Sequence, residues 1–332
     1  MLKVKVFAAL LLVISGFETL AQLTISKDDF YARLEHSPNM PEKLLSTRSI
    51  VVYPSTMTDV ELDKIQKSFQ ETGIDAIAYY DIDLVLAGTD VRRALGFYLN
   101  KRTVNNIVFF RKAGNEYSTL ITLYNEKTTF VEKGQSAWYA QDPDLEELLK
   151  KIYRTASNSL TRQNFLINDH PEKELFINPI AGRRSEFFAI DLKVDQLAVP
   201  KFDNEQVDAK LAELFAEYPF KYQLTEAGLS ERELRSKGFL YTLCFVHTRG
   251  SIARALLGYD VSKPVTAFAS VTFAEGQPRF TNIPAEEMVY KFYFKHIESG
   301  NVFLGTRWDA HTEWDEALRN HLTAFKTELK VN

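Results

Sequence analysis

The sequence predicts an α+β fold of two tandem domains. Each runs β-α-β-α-β-β-β-α with mostly antiparallel sheets, and the second carries a strand-containing insertion. Three observations predict it. Short β-branched or aromatic runs alternate with segments whose apolar residues recur at helical spacing. The same order of elements occurs twice. Ile50 and Phe188 are separated by nearly the same length as Ile107 and Leu243. Trp138 and Trp308, each closing a hairpin before a last helix, lie further apart by an insertion's length.

The first domain begins with residues 49–53, a β-branched run stopped by Pro54. Residues 59–70 carry Val60, Leu62, Ile65 and Phe69 near helical spacing, with Thr58 as cap and Gly73 as stop. Residues 74–80 return to strand character. Thr89 and Asp90 cap a helix presenting Val91, Leu95 and Leu99. Strands follow at 104–110, 116–124 and 128–139, separated by Gly114 and the turn at 125–127. Asp142 and Pro143 open a helix with Leu145, Leu148, Leu149 and Ile152 on one face.

The second pass gives a strand at 186–192, a helix at 204–218, a strand at 220–224 and a short helix at 230–237. A strand at 238–247 takes 252–259 as its hairpin partner. A hairpin at 289–296 and 302–308 precedes the closing helix at 315–329. The organisation is therefore a signal peptide (1–21), an N-terminal arm (22–47), a first domain (48–155) and a linker (156–185) with a short strand at 175–177. The second domain (186–332) holds its insertion at 261–285.

Composition bounds the function. The 332 residues are 45% apolar and 25% charged, which suits a globular protein. A formal charge of −4 argues against a strongly electrostatic nucleic-acid binder. Cys244 is the single cysteine, so an intrachain disulfide and a multi-cysteine metal cluster are excluded. Within the apolar run 239–246 it reads as a small buried hydrophobe.

Lys3 and Lys5 precede the apolar run 6–14, and Thr19 and Ala21 supply small residues for cleavage before Gln22. That run is shorter than the roughly 20 apolar residues of a spanning helix. No later segment is long and apolar enough to span. The expected address is periplasmic or extracellular, with any outer-membrane association made through a partner.

The element order resembles the small α/β domain at the N-terminus of TolB and in the CsgG-like family. Residues 49–54, 73–80, 105–110 and the hairpin and helix from 289 to 325 carry the resemblance. It implies non-catalytic domains of envelope assemblies. The β-propeller that follows in TolB and the lipidated cysteine typical of CsgG have no counterpart here.

Few constellations suggest chemistry. The sequence has no Gly-x-x-x-x-Gly-Lys-Ser/Thr loop, Gly-x-Ser-x-Gly elbow or His-Glu-x-x-His helix, and no cofactor or catalytic residue is expected. Asp309, His311 and Glu313 alternate as metal ligands would on an extended segment, although acidic residues also suit a helix entry. Asp75, Asp81, Asp83 and Asp90 read as caps and strand ends. Arg92–Arg93 and Arg183–Arg184 are basic pairs able to meet a phosphate or carboxylate. Trp138, Trp308 and Trp314 are the binding candidates. Residues 289–294 alternate, one face core and the other exposing Tyr or Lys.

Two functions follow from this reading. The first is an exported, non-catalytic interaction or assembly module with an envelope protein partner. The alternative is an exported enzyme or a small-ligand or carbohydrate binder with its site between the domains. Intact-mass measurement of the exported protein is expected to find Gln22 first, with residues 1–21 gone; a retained N-terminus would refute processing at this site.

Overall fold

The structure is a computed structural model that describes residues 26–173, 177–274 and 277–331. The signal segment, the first residues of the arm and most of the strand expected at 175–177 lie outside the described residues. The first half comprises α1 (Lys27–Tyr31), β1 (Leu34–Ser37), β2 (Arg48–Tyr53), α2 (Asp59–Thr72), β3 (Asp75–Asp81), α3 (Ile82–Val85) and α4 (Thr89–Lys101). It continues with β4 (Val104–Ala113), β5 (Glu116–Leu123), β6 (Gln135–Asp142) and α5 (Leu145–Ser159). The second half contains β7 (Arg184–Ser185), β8 (Leu197–Pro200), α6 (Glu205–Phe215), β9 (Tyr222–Thr225), α7 (Glu231–Ser236), β10 (Tyr241–Arg249) and α8 (Gly250–Leu256). It ends with β11 (Ala267–Ala274), β12 (Gln277–Pro284), β13 (Met288–His296), β14 (Val302–Phe303) and α9 (Trp314–Glu328).

The chain is an α+β protein with two six-stranded sheets, ordered β1-β6-β5-β4-β2-β3 and β7-β14-β13-β10-β8-β9. The sheets match strand for strand in sense as well as order. The outer pairs β1/β6 and β7/β14 are parallel, as are β4/β2, β2/β3, β10/β8 and β8/β9. The intervening pairs are antiparallel. Both sheets are thus mixed, with more parallel than antiparallel pairings, which corrects the expectation of mostly antiparallel sheets. A parallel pair needs a crossover, and α2, α4, α6 and α7 supply those of the four inner parallel pairs.

Alternation explains the layers. In β4, Ile107 and Phe109 face α4 while Val108 and Phe110 face α2 and α5. In β13, Tyr290, Phe292 and Phe294 face α9, and Val289 and Tyr293 face the opposite side. Helix α2 has a full capping box, Thr58 with Glu61, and ends on Gly73 at φ 101°.

Several boundaries differ from the sequence reading. The arm at 22–47 contributes α1 and the edge strand β1, so its described part is built into the first sheet. Residues 128–134 form a loop, because Phe130 and Gly134 take positive φ, and the strand starts at Gln135. The strand expected at 186–192 is instead a 3₁₀ turn at Ile190–Lys193, and the sheet takes the apolar run of β8, ended by Pro200. Residues 252–259 extend no hairpin: Ala253 and Leu256 have helical spacing, and α8 buries them. The second strand of the closing hairpin is only Val302–Phe303, ended near Gly305 at φ 79°. Trp138 lies within β6 and Trp308 beyond β14, so the two tryptophans are not counterparts. The insertion holds the hairpin β11–β12, and α8 adds to it.

Residues 160–173 are stitched to the first half, whereas Gly182 and Arg183 bond to Gly300 and Asn301 of the second. Glu172 bridges Ala78 beside β3, and the Asn164 side chain donates to the carbonyls of Thr47 and Gly73.

A face of β13 that alternation alone would expose is buried. Lys291 Nζ lies 2.6 Å from Asp309 Oδ1 and donates to the Leu304 carbonyl at 2.7 Å; His321 Nδ1 is 3.0 Å from Asp309 Oδ2. All three side chains are at most 1% exposed. Burial raises the Asp309 pKa, but Lys291 and then His321 outweigh it and hold the carboxyl below its ordinary value. Burial, with the Lys291 charge, pushes His321 down, and burial pushes His247 down to about 4.

These groups bind fewer protons folded than unfolded, so stability rises with pH. The histidine contribution is lost as pH falls below about 6.5, and that of Asp309 as pH falls below about 3.9. Urea midpoints are expected to drop between about pH 7 and about pH 5, and a flat profile would contradict the neutral histidines. Lys291→Met, which strands Asp309, is expected to cost about 3–5 kcal/mol, whereas under about 1 kcal/mol would refute the pairing.

Candidate functional site

The two halves meet where the α3–α4 elbow lies on the second sheet. His247 N donates to the Ala87 carbonyl at 2.7 Å, joining the elbow to β10. Gly88 permits this approach, since a Cβ there would sit 2.8 Å from the Phe245 carbonyl oxygen. Ala87 and Val91 share one apolar cluster with Val246, Val289 and Tyr293, so part of the core belongs to both halves.

The sequence places Asp90 at the cap of a helix. Instead Gly88 precedes α4 without a side-chain cap, and Asp90 turns to the second sheet. Lys295 Nζ donates to it at 2.9 Å, Tyr293 Oη at 2.8 Å and Arg93 at 2.8 Å. Arg93 also reaches Glu231 of α7 at 2.7 Å, and Lys295 reaches the same oxygen at 2.8 Å. Burial alone would lower the Lys295 pKa; Asp90 and the neighbouring anions outweigh it and leave it raised. Two cations and two carboxylates are therefore balanced across the interface. A second bridge is made by Arg249, which meets Asp81 at 2.5 Å, Asp83 at 3.5 Å and Glu286. Nothing in the sequence connects Asp81, Asp83 and Asp90. The fold brings each to a cation of the other half.

Beside the Asp90 cluster lies a cavity of about 240 Å³ lined by Arg92, Lys201, Phe202, Leu229, Cys244 and Phe245 among others. A more open chamber of about 590 Å³ adjoins it, lined by Phe97, Lys101, Ile177, Pro179 and Ile297. Asp90, Arg93 and Glu231 line both. The inner volume falls just below the roughly 300–1,000 Å³ range of ligand pockets and the outer one within it.

Arg92 is half-buried, and its side chain makes no hydrogen bond or ion pair with any described residue. Burial, with the nearby Arg33 guanidinium, lowers its pKa from the ordinary value. Lys201 is exposed and likewise makes no side-chain ion pair among the described residues. Once the Asp90 cluster is balanced, these two cations leave the inner cavity positive.

The residues singled out from sequence do not converge. Trp138 is buried between the first sheet and α5. Trp308 is buried under Arg254, whose guanidinium lies 5.3 Å from the ring, and beside Tyr259. Trp314 is half-buried, 6.3 Å from Phe202. Asp309 serves Lys291 and His321; His311 pairs its backbone with Tyr290 and accepts the Glu313 N–H on Nδ1; Glu313 is the exposed residue before α9. No group of three or more metal-ligating side chains is assembled among the described residues. Arg184 donates to the Leu257 carbonyl and lies over the Tyr259 ring. Of the residues singled out from sequence, Asp90, Arg92–Arg93 and Cys244 line the cleft.

No protein-family model matches the chain, and no curated protein matches it either.

Burial, and secondarily Asp90, pushes the Cys244 thiol well above its ordinary pKa, so it stays protonated at the cavity wall. Iodoacetamide at about pH 8 is expected to modify the native thiol at least about tenfold more slowly than the urea-unfolded one. Equal rates would show that the wall is open to solvent.

Proposed function

We propose that the chain is an exported, non-catalytic protein that binds a small anionic molecule in the cleft between its halves. The observation that carries this reading is Arg92, a half-buried guanidinium without a side-chain partner among the described residues, facing a cavity between the halves. An enclosed cation without a counter-charge costs solvation that an anion repays. Lys201 adds to the positive field, and Leu229, Phe202 and Phe245 offer an apolar wall. The one thiol at the wall is held protonated, which disfavours thiolate chemistry there. The export signal and the resemblance to TolB N-terminal and CsgG-like domains support an envelope setting for such a protein.

Calorimetric titration with butyl phosphate tests this. Wild type is expected to bind, and Arg92→Ala to weaken binding by about tenfold or more. Absence of binding would sink the proposal and favour docking of an envelope protein partner instead. For that second reading the relevant surface is Phe187, Ile190 and Val194, which lie exposed beyond the two-residue edge strand β7.

A further inference from the structure

The two chambers of the cleft are separated by a thin partition. Arg93 from the first half and Glu231 from the second span the cleft with a 2.7 Å contact, and both side chains line the inner cavity and the outer chamber. The pair is 44% and 33% exposed, which makes it an ion pair of small worth. The Asp90–Lys295 pair beneath it is buried, at 7% and 4%. The shallow pair can part while the deep one stays.

Both chambers have mixed polar and apolar walls, and they differ in which residues stand free on them. The inner one carries the uncompensated cations Arg92 and Lys201. The outer one has a mixed wall, Lys101 and Glu298 beside Phe97, Ile177, Pro179 and Ile297, and Phe97 is 72% exposed although it sits on a helix that buries Leu95 and Leu99. A large exposed ring on the wall of a chamber next to a positive cavity suits a ligand with a charged head and an apolar chain.

We infer that the cleft takes a single-chain anionic amphiphile, its head at Arg92 and Lys201 and its chain over Phe97, with the Arg93–Glu231 pair as a partition that the ligand opens. This rests on the cleft being an anion site, as proposed above. Arg93 would exchange Glu231 for the head group while keeping Asp90. No bond is made or broken beyond these ion pairs and hydrogen bonds.

The test compares butyl and decyl phosphate, both below their micellar concentrations, on wild type, Glu231→Gln and Phe97→Ser. Decyl phosphate is expected to bind wild type at least about tenfold more tightly than butyl phosphate. Phe97→Ser, an exposed position that does not threaten the fold, is expected to remove most of that advantage and leave butyl phosphate unchanged. Glu231→Gln is expected to tighten decyl phosphate about fivefold and butyl phosphate less than about twofold, because only the longer chain crosses the partition. If butyl phosphate binds but chain length and Phe97 make no difference, the amphiphile inference fails and the anion site stands. If both probes fail on wild type and on Glu231→Gln, both fall. An arm with phosphatidylglycerol vesicles separates the sources of such a ligand. Binding to vesicles with none to monomeric decyl phosphate overturns the cleft as the site.

Discussion

Strand β13 places Lys291 and Lys295 on one face of a sheet, and both faces of that sheet are buried. An ammonium taken from water without a counter-charge is prohibitively costly, so each lysine needs a carboxylate. Lys291 finds Asp309 within its own half, on the loop that leads to α9. Lys295 finds Asp90, which belongs to the other half. Glu231 of its own half also meets Lys295, but that carboxylate is one-third exposed and shared with Arg93, so the buried counter-charge comes from Asp90 of the first half. The apolar cluster that joins Ala87 and Val91 to Val246 and Tyr293 surrounds the same contact. Charge and packing place the halves in one arrangement, and the cleft lies beside it.

Much of the fold was legible because alternation and helical spacing survive in the sequence as local signals. The runs that became β2, β3, β4, β9 and β10, and the helices α2, α4, α5, α6, α7 and α9, were readable in that way. The misreadings came where local hydrophobicity and tertiary placement part company. Phe187, Phe188 and Ile190 look like a strand, yet Phe187 and Ile190 are exposed and the sheet uses the shorter run from Leu197. At β13 the same rule failed in the opposite direction. Lys291 and Tyr293 alternate with aromatics and so read as an exposed face, and no local pattern marks them as buried.

The site was less legible for a related reason. The partners of Lys295 and Tyr293 lie some two hundred positions away in sequence, on an element read as capped by its own aspartate. Arg92–Arg93 was visible as a basic pair, but what distinguishes its members is three-dimensional. Arg93 is held by Asp90 and Glu231, whereas Arg92 is left facing the cavity. A usable sequence signal does exist in retrospect: two lysines at i and i+4 on a strand whose other residues are apolar or aromatic need counter-charges that the strand's neighbours must provide.

Why the cleft opens on the second sheet and not the first follows from helix length. The two sheets share strand order and sense, so α4 and α7 occupy corresponding connections, each leading from the outermost parallel strand to the strand two places in. Helix α4 has thirteen residues and, with α1 and α3, covers its face of the first sheet. Helix α7 has six, and buries only Leu234 against Ala198, Phe239 and Ile297. Strand β8 is short as well and pairs with β10 only at Tyr241 and Thr242, leaving the rest of that flank of β10 without a strand. A short helix over a short strand leaves a gap in both the layer and the ladder. The elbow of the first half fills part of it, through the Ala87 carbonyl and the Asp90 carboxylate. The part it does not fill is the cavity, and among the residues it brings to that wall Arg92 is the one left without a counter-charge.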